Sequence, residues 1–321
     1  MGRPHCQLVS PIFGWSTVDA DNEDWQVGVP GPERLPVIVG MIASPVFPLT
    51  AERLRAMRAL VVVSAYGVGY DYINVEAASE LGILVTHTPA AVTAATAELG
   101  LTMVLALSRH LVLHDRAMRR HHEIDKPHPL FHRALMAHDA QSQTVGIVGY
   151  GRIGQHLADL LKAVGFRVVY TRTRGPLAGH PGYRDLDPLL AESDLVVLAV
   201  PLTETTRHLI GPEALARMKT TAQIVNIGRG PVIDEAALTE AIASGQIAGA
   251  ALDVFEFEPR IHARLVELDS VILSPHVGTL TEETRFRMTK DALNNVRQGL
   301  FGVAENALNA ATWSRRSEPP V

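Results

Sequence analysis

The sequence predicts an α/β protein built on a doubly wound parallel sheet, with a smaller α/β unit ahead of it. From Val145 onward, short apolar runs alternate with helical patterns and give about six strands. The first of those runs ends in Gly149-Tyr-Gly-Arg-Ile-Gly154 and passes at once into one-face helical spacing, the order a parallel βαβ unit requires. At 321 residues, 47% apolar and 20% charged, the chain is long enough to bury the cores of two domains.

Taken in order, Gln7 to Phe13, Trp25 to Val29 and Pro36 to Ile42 read as strands of the smaller unit, while Ser16 to Asp24 is polar and weakly patterned. Ala51 to Arg58 reads as a helix with Thr50 as its N-cap. Leu60 to Ser64 reads as a buried strand, and Tyr66-Gly-Val-Gly-Tyr-Asp71 as a glycine-bearing turn at its C-terminal end, where ligands favour an α/β sheet. A short helix over Val75 to Glu80, stopped near Gly82, a strand over Ile83 to Thr86 and a break at Thr88-Pro89 follow. Ala94 to Arg109 is an apolar helix leading into the second domain. Residues 110–143 are polar and hold seven of the fourteen histidines, at 110, 114, 121, 122, 128, 132 and 138. They read as a solvated surface arm. His110 and His114 on one helix face are the metal-binding alternative, but no cysteine or compact carboxylate cluster joins them.

Beyond the arm, Val145 to Val148 is a strand, Ile153, Leu157, Leu160, Leu161 and Val164 mark a helix stopped at Gly165, and Phe166 to Thr171 is the next strand. Leu195 to Val200, Gln223 to Ile227, Ile247 to Val254 and Val271 to Leu273 read as further strands, with helices over Pro212 to Met218 and over Asp234 to Ser244, the latter closed by Gly245. A last helix around Thr284 to Leu300 precedes a polar tail, Ser314 to Val321, that reads as frayed. The expected division is residues 1–92 with 282–321 in one domain and 93–281 in the other.

A net charge of −5 without a long Lys/Arg run argues against a nucleic-acid surface and leaves small molecules as the expected partners. Cys6, alone, excludes an internal disulfide and a cysteine-based zinc site and fits a reducing compartment. No stretch approaches a membrane span and the N-terminus does not read as a signal peptide, so the expectation is a cytoplasmic protein without a membrane partner.

Gly149, Gly151 and Gly154 are spaced to let a strand turn sharply, to bring backbone against a pyrophosphate, and to start a helix whose positive end faces the phosphates. The next strand ends Tyr170-Thr-Arg-Thr-Arg174, without the acidic residue that accepts from an NAD ribose. Arg172 and Arg174 can instead pair with a 2′-phosphate to which Thr171 and Thr173 donate, so NADP is preferred and NAD possible. Three later strand ends carry Asn226-Ile-Gly-Arg-Gly-Pro231, Leu252-Asp-Val-Phe-Glu-Phe-Glu-Pro259 and Ser274-Pro-His-Val-Gly278. Taken singly, Arg229 is an ordinary salt-bridged turn residue, Asp253 a cap, Glu258 a surface charge and His276 a loop histidine. Together, beside a nucleotide site, they are the cation, carboxylates and imidazole that hydride transfer to a carbonyl needs.

From about Leu60 to about Met288, these motifs resemble the D-isomer-specific 2-hydroxyacid dehydrogenase family, most closely its glyoxylate and hydroxypyruvate reductases. The resemblance implies a Rossmann coenzyme domain with a flavodoxin-like substrate domain, and an NAD(P)-dependent enzyme that reduces a small 2-oxo acid and oxidises the D-2-hydroxy acid. Arg229 would bind the substrate carboxylate and polarise the carbonyl, with the N–H groups of Val68 and Gly69 also on the carboxylate. His276 would protonate the developing alkoxide, and Glu258 would orient the ring and favour its charged form. Asp253 matches the residue that positions the nicotinamide; Arg152, Ile153 and Thr206 match contacts to phosphates or ribose, and Pro201, Ile227 and Gly278 fall with the cofactor residues. No metal is implied. The family also implies a homodimer and a substrate bound between closing domains. The chain departs from the glyoxylate reductases at residues 115–141, where their arm carries a tryptophan and this one has none. Two other readings are a dinucleotide-sensing protein like the family's corepressor relatives, and a phosphite, formate or phosphoglycerate dehydrogenase relative.

Overall fold

The computed structural model describes residues 5–8, 25–121, 136–303 and 305–314. The chain forms two compact units, Met1–Val92 with Thr279–Val321, and Thr93–Gly278.

The first unit holds five parallel strands, β1 (His5–Leu8), β2 (Trp25–Val27), β3 (Ile38–Ala43), β4 (Val62–Ala65) and β5 (Leu84–Thr86), in the order β2-β1-β3-β4-β5. Alternate residues of these strands enter two cores, as strand geometry requires of a sheet covered on both faces. Met41, Ala43, Val63 and Val85 pack with Leu54 of α1 (Ala51–Ala56) and Ala77 of α2 (Val75–Glu80). Ile42, Val62 and Leu84 pack with Ala292, Leu293 and Val296 of α10 (Glu282–Leu300), so the end of the chain returns to cover the first sheet. Caps fix where these helices start: Thr50 accepts from the Arg53 N–H at 3.3 Å and Asn74 from the Ala77 N–H at 2.9 Å.

The second unit holds β6 (Thr144–Val148), β7 (Arg167–Thr171), β8 (Leu195–Leu198), β9 (Gln223–Asn226), β10 (Gly249–Leu252) and β11 (Val271–Leu273), all parallel, in the order β11-β10-β9-β8-β6-β7. One face is covered by α3 (Thr93–Ser108) and α5 (Arg152–Val164), the other by α6 (Leu186–Glu192), α7 (Pro212–Arg217) and α8 (Glu235–Ala243). The helices α4 (Leu111–His121) and α9 (Ala263–Val266) complete the unit.

Several elements differ from the sequence reading. Residues expected to open a strand at Pro36 lie in a 3-10 helix, Pro32–Val37, because its two prolines fix the helical φ and withhold strand donors. The expected arm begins instead with α4, a helix whose polarity is used: Arg119 pairs with Asp115 one turn back, and Arg116 and Arg120 reach Asp269. His110 precedes that helix with φ of 51°, so it does not share a helical face with His114, although their rings meet edge-on at 6.3 Å. Among the described residues no group of three or more potential ligands is placed to hold a metal. The short helices α6 and α9 were not expected. The rest of the Gln7 to Phe13 strand, the Ser16 to Asp24 segment, His122, His128, His132 and the tail after Ser314 lie outside the described residues. Among the described residues no single helix is long and apolar enough to cross a membrane.

Candidate functional site

In the second unit the chain leaves β6 for β7 on one side and then crosses to β8 on the other. That reversal opens a crevice beyond the strand ends, the place where doubly wound sheets bind ligands. The glycine turn sits there. Gly149 has φ of 104° and donates to the Thr171 carbonyl at 3.0 Å, and a Cβ on it would lie 2.6 Å from the Ala199 oxygen. A Cβ on Gly154 would strike the Gly149 oxygen, so helix and turn pack backbone to backbone. A Cβ on Gly151 would meet nothing within 4 Å, which leaves that side open to a ligand. Gly151 also N-caps α5 without a side-chain hydrogen bond, so the first-turn amides, those of Arg152 and Ile153 among them, carry the positive end of the helix dipole. The cradle fits the pyrophosphate of a dinucleotide.

β7 ends at Thr171, with Arg172 half-buried and Thr173 and Arg174 exposed just beyond it. Among the described residues the side chains of Arg152, Arg172 and Arg174 make no ion pair or hydrogen bond. Thr206 is differently employed: its hydroxyl donates to the Pro201 carbonyl at 2.7 Å and accepts from the Thr203 N–H at 2.8 Å, shaping the turn after β8. Ile227 donates its N–H to the Leu198 carbonyl at 3.2 Å and turns its side chain toward Gly100 on α3, in the core between the sheet and its helices.

Arg229, Asp253, Glu258 and His276 are set on the turns after β9, β10 and β11. Asn226 closes the first turn by accepting from the Gly228 N–H and donating to the Arg229 carbonyl. Gly230 packs directly on the Phe255 carbonyl, which joins the Arg229 turn to the loop that carries Glu258. Asp253 is 2% exposed, and its carboxylate organises the third turn. One oxygen accepts from the Ser274 hydroxyl at 2.6 Å and the Val277 N–H at 2.8 Å; the other accepts from the Gly278 N–H at 2.8 Å. Its carbonyl accepts from the His276 N–H at 2.8 Å. His276 itself is held at φ of 54°, a region that non-glycine residues seldom occupy. Its Nδ1 lies 3.0 Å from Glu258 Oε2, and Glu258 Oε1 accepts from the Phe255 N–H at 3.0 Å. Burial pushes the Glu258 carboxyl up, but the hydrogen bond and charge of His276, the Phe255 N–H and the nearby Arg229 charge outweigh it and hold its pKa below the ordinary value.

Two further carboxylates, which the sequence did not single out, fasten the Glu258 loop. Buried Glu235 at the start of α8 accepts from the Glu256 N–H at 2.9 Å and the His262 N–H at 2.7 Å, gripping the loop on both sides of Glu258. Glu256 returns a bond from the Glu235 N–H at 3.1 Å and meets His208 Nε2 at 2.6 Å, while the His208 N–H donates to Pro231, next to the Arg229 turn. The available signal was an acid at the first position of a helix, which reads as ordinary dipole compensation.

Val68 and Gly69 lie in the first unit, on the turn after β4. Gly67 and Thr88 exchange two hydrogen bonds that pin this turn, and His87 Nδ1 lies 3.1 Å from the Val68 carbonyl. Its backbone N–H groups are of the kind that hold a carboxylate.

Residues 101–278 match the model of the D-isomer specific 2-hydroxyacid dehydrogenase NAD-binding domain. A glyoxylate reductase of Thermococcus onnurineus is 42% identical over 255 residues, 77% of this chain and 75% of its own. Among solved structures, a glyoxylate reductase from Paecilomyes thermophila is 30% identical with a TM-score of 0.85 over 96% of this chain and 99% of that one. An NADPH-dependent glyoxylate/hydroxypyruvate reductase from Sinorhizobium meliloti, solved with NADP and malonate, is 29% identical with a TM-score of 0.85 over 99% of this chain and 100% of that one. With a family domain matched over more than half its length and a relative of this identity aligned over most of it, the chain belongs to the D-isomer-specific 2-hydroxyacid dehydrogenases.

Proposed function

We propose that this NAD(P)-dependent oxidoreductase reduces a small 2-oxo acid such as glyoxylate or hydroxypyruvate to the corresponding 2-hydroxy acid, with NADPH preferred. The observation that carries the reading is the grouping of Arg229, Glu258 and His276 on neighbouring strand ends of the nucleotide-binding sheet. When bound, the nicotinamide dinucleotide supplies the hydride to the carbonyl carbon. The Arg229 guanidinium would bind the substrate carboxylate and draw charge from the carbonyl oxygen. With Nδ1 of His276 taken by Glu258, Nε2 is the ring atom left to give a proton to the alkoxide as it forms, and to take it back in the reverse direction. The N–H groups of Val68 and Gly69 are proposed as further donors to a carboxylate. Arg152, Ile153, Pro201, Thr206, Ile227 and Gly278 are proposed to line the cofactor site, Thr206 and Gly278 by holding its turns in shape.

The NADP preference rests on Arg172 and Arg174, two cations without a protein partner among the described residues, beyond a strand that offers no carboxylate to a ribose hydroxyl. The family resemblance makes a homodimer the expected assembly, which sedimentation equilibrium checks, and a cytoplasmic location is proposed from the sequence, whose single cysteine, Cys6, fits a reducing compartment. A corepressor-like role is disfavoured, because curated relatives 42%, 45% and 43% identical to the chain are glyoxylate reductases.

The deciding experiment follows loss of reduced-nicotinamide absorbance with NADPH and with NADH against a panel of 2-oxo acids. Turnover of glyoxylate or hydroxypyruvate with a higher kcat/KM for NADPH is expected. Failure on every 2-oxo acid would overturn the enzymatic reading, and equal kcat/KM for the two cofactors would overturn the NADP preference.

A further inference from the structure

Tyr170 is 1% exposed, and its position in β7 reads as ordinary strand core. Its hydroxyl is nevertheless fully engaged. It accepts from the Leu177 N–H at 2.8 Å and donates to the His180 carbonyl at 2.9 Å, so one oxygen fastens two points of the segment that follows the strand. The main chain of the same residue fixes the far end of that segment, donating to Gly182 O at 3.0 Å and accepting from Arg184 N at 2.9 Å. Tyr150, from the glycine turn, stacks on the Tyr170 ring with centroids 3.8 Å apart, and its hydroxyl meets His180 Nδ1 at 3.3 Å. The segment carries Arg172, Thr173 and Arg174 and is rich in glycine and proline, with Gly175, Pro176, Gly179, Pro181 and Gly182. Such a stretch has little internal structure of its own, so its shape depends on what ties it down.

We propose that Tyr170 is a positioning residue for cofactor choice: its hydroxyl holds residues 172–183 closed so that Arg172 and Arg174 stand ready for the 2′-phosphate of NADPH. The inference rests on the NADP reading above. A guanidinium already in place binds its phosphate without the ordering loss that a loose loop would incur, and NADH, which has no 2′-phosphate, gains nothing from that order.

Tyr170→Phe removes the hydroxyl and keeps the ring, its stacking and its burial. Steady-state kinetics with each cofactor, for Tyr170→Phe, Arg172→Ala and the double variant, test the proposal, and the NADH rates serve as the internal control for folding. Losing two buried hydrogen bonds is expected to raise KM for NADPH roughly five- to thirtyfold, with a much smaller change for NADH. In the double variant, Tyr170→Phe should add little to the loss from Arg172→Ala, because both act on one contact. If Arg172→Ala discriminates between the cofactors but Tyr170→Phe changes both alike, or neither, the NADP reading stands and Tyr170 is only a core residue. Losses that add independently in the double variant would likewise reduce Tyr170 to a core residue. If Arg172→Ala itself fails to discriminate, the 2′-phosphate reading falls and the inference falls with it.

Discussion

Asp253→Asn separates two roles that one residue can play: contact with the nicotinamide, which the family resemblance implies, and anchorage of the His276 turn, which the hydrogen bonds describe. The substitution keeps shape and replaces one acceptor oxygen with a donor. If the amide nitrogen takes the Oδ2 position it faces the Gly278 N–H; if it takes the Oδ1 position it faces the Val277 N–H and the Ser274 hydroxyl. In the milder case one buried donor loses its partner, and the bonds that remain lose the assistance of a full charge. At 2% exposure no water replaces them, so the cost is about 2–4 kcal/mol. In a unit of this size that lowers the melting midpoint by roughly 5–15 °C. His276 lies between the two anchored ends, so relaxation of the turn by about 1 Å would cost kcat on the order of 100-fold. Calorimetry together with steady-state rates on an active 2-oxo acid measures both. An unchanged midpoint with weakened cofactor binding would assign Asp253 to the nicotinamide alone, and unchanged midpoint and kcat together would refute the anchor.

His276→Gly should lower kcat by roughly 10²–10⁴-fold, the usual worth of a general acid, while the melting midpoint holds or rises because glycine tolerates φ of 54°. A variant that keeps near-normal turnover would remove His276 from the mechanism. For Glu258→Gln the sign follows from a folded pKa held below the unfolded one: the stability that the carboxylate contributes is present above the ordinary glutamate range and is lost as pH falls through the lowered folded value. The wild-type advantage in melting midpoint should therefore persist through mildly acidic pH and vanish only below that range. It should stay within about 1 kcal/mol, because the two side chains are 47% and 38% exposed; an advantage that survives undiminished on acidification well below the ordinary glutamate range would contradict the assignment. Gly154→Ala drives a Cβ into the Gly149 oxygen, and either α5 or the turn must move. Titration of NADPH fluorescence should show binding weakened at least tenfold, and unaltered binding would mean that the turn does not cradle the cofactor.

The parts of the fold that were legible in the sequence are those with a strong local period. The strands β6 to β11 are short apolar runs that end in glycine, proline or a polar turn, and α5 has apolar residues on one face and a glycine at each end. α4 was not legible because its stabilising contacts are charged: without Asp269, which is more than 140 positions away, Arg116 and Arg120 look like solvated arm residues. α6 and α9 are too short for a period to show. The same division runs through the site. Arg229, Glu258 and His276 stand in recognisable turns, but Glu235 serves the Glu258 loop from some twenty positions away, and Tyr170 does so for the arginine loop through an oxygen that strand patterning treats as incidental. A hydrogen bond between distant positions leaves no spacing in the sequence to find.

The conformation of His276 bears on whether the site binds a dinucleotide or acts with it. Gripping a pyrophosphate, as proposed, would need the glycine turn and the first-turn amides of α5, all on backbone in geometry that glycine adopts readily. His276 is different: a left-handed conformation costs a non-glycine residue on the order of 1–3 kcal/mol, and persists here because Asp253 bonds both the residue itself and the two that follow it. The same constraint sets the imidazole against Glu258 Oε2, on a loop that Glu235 grips at both ends. Two buried carboxylates and a strained residue thus act on the placement of one ring atom. A sensor that only reports bound cofactor gains nothing from the position of His276 Nε2, whereas proton transfer to an alkoxide depends on it to within a fraction of an ångström.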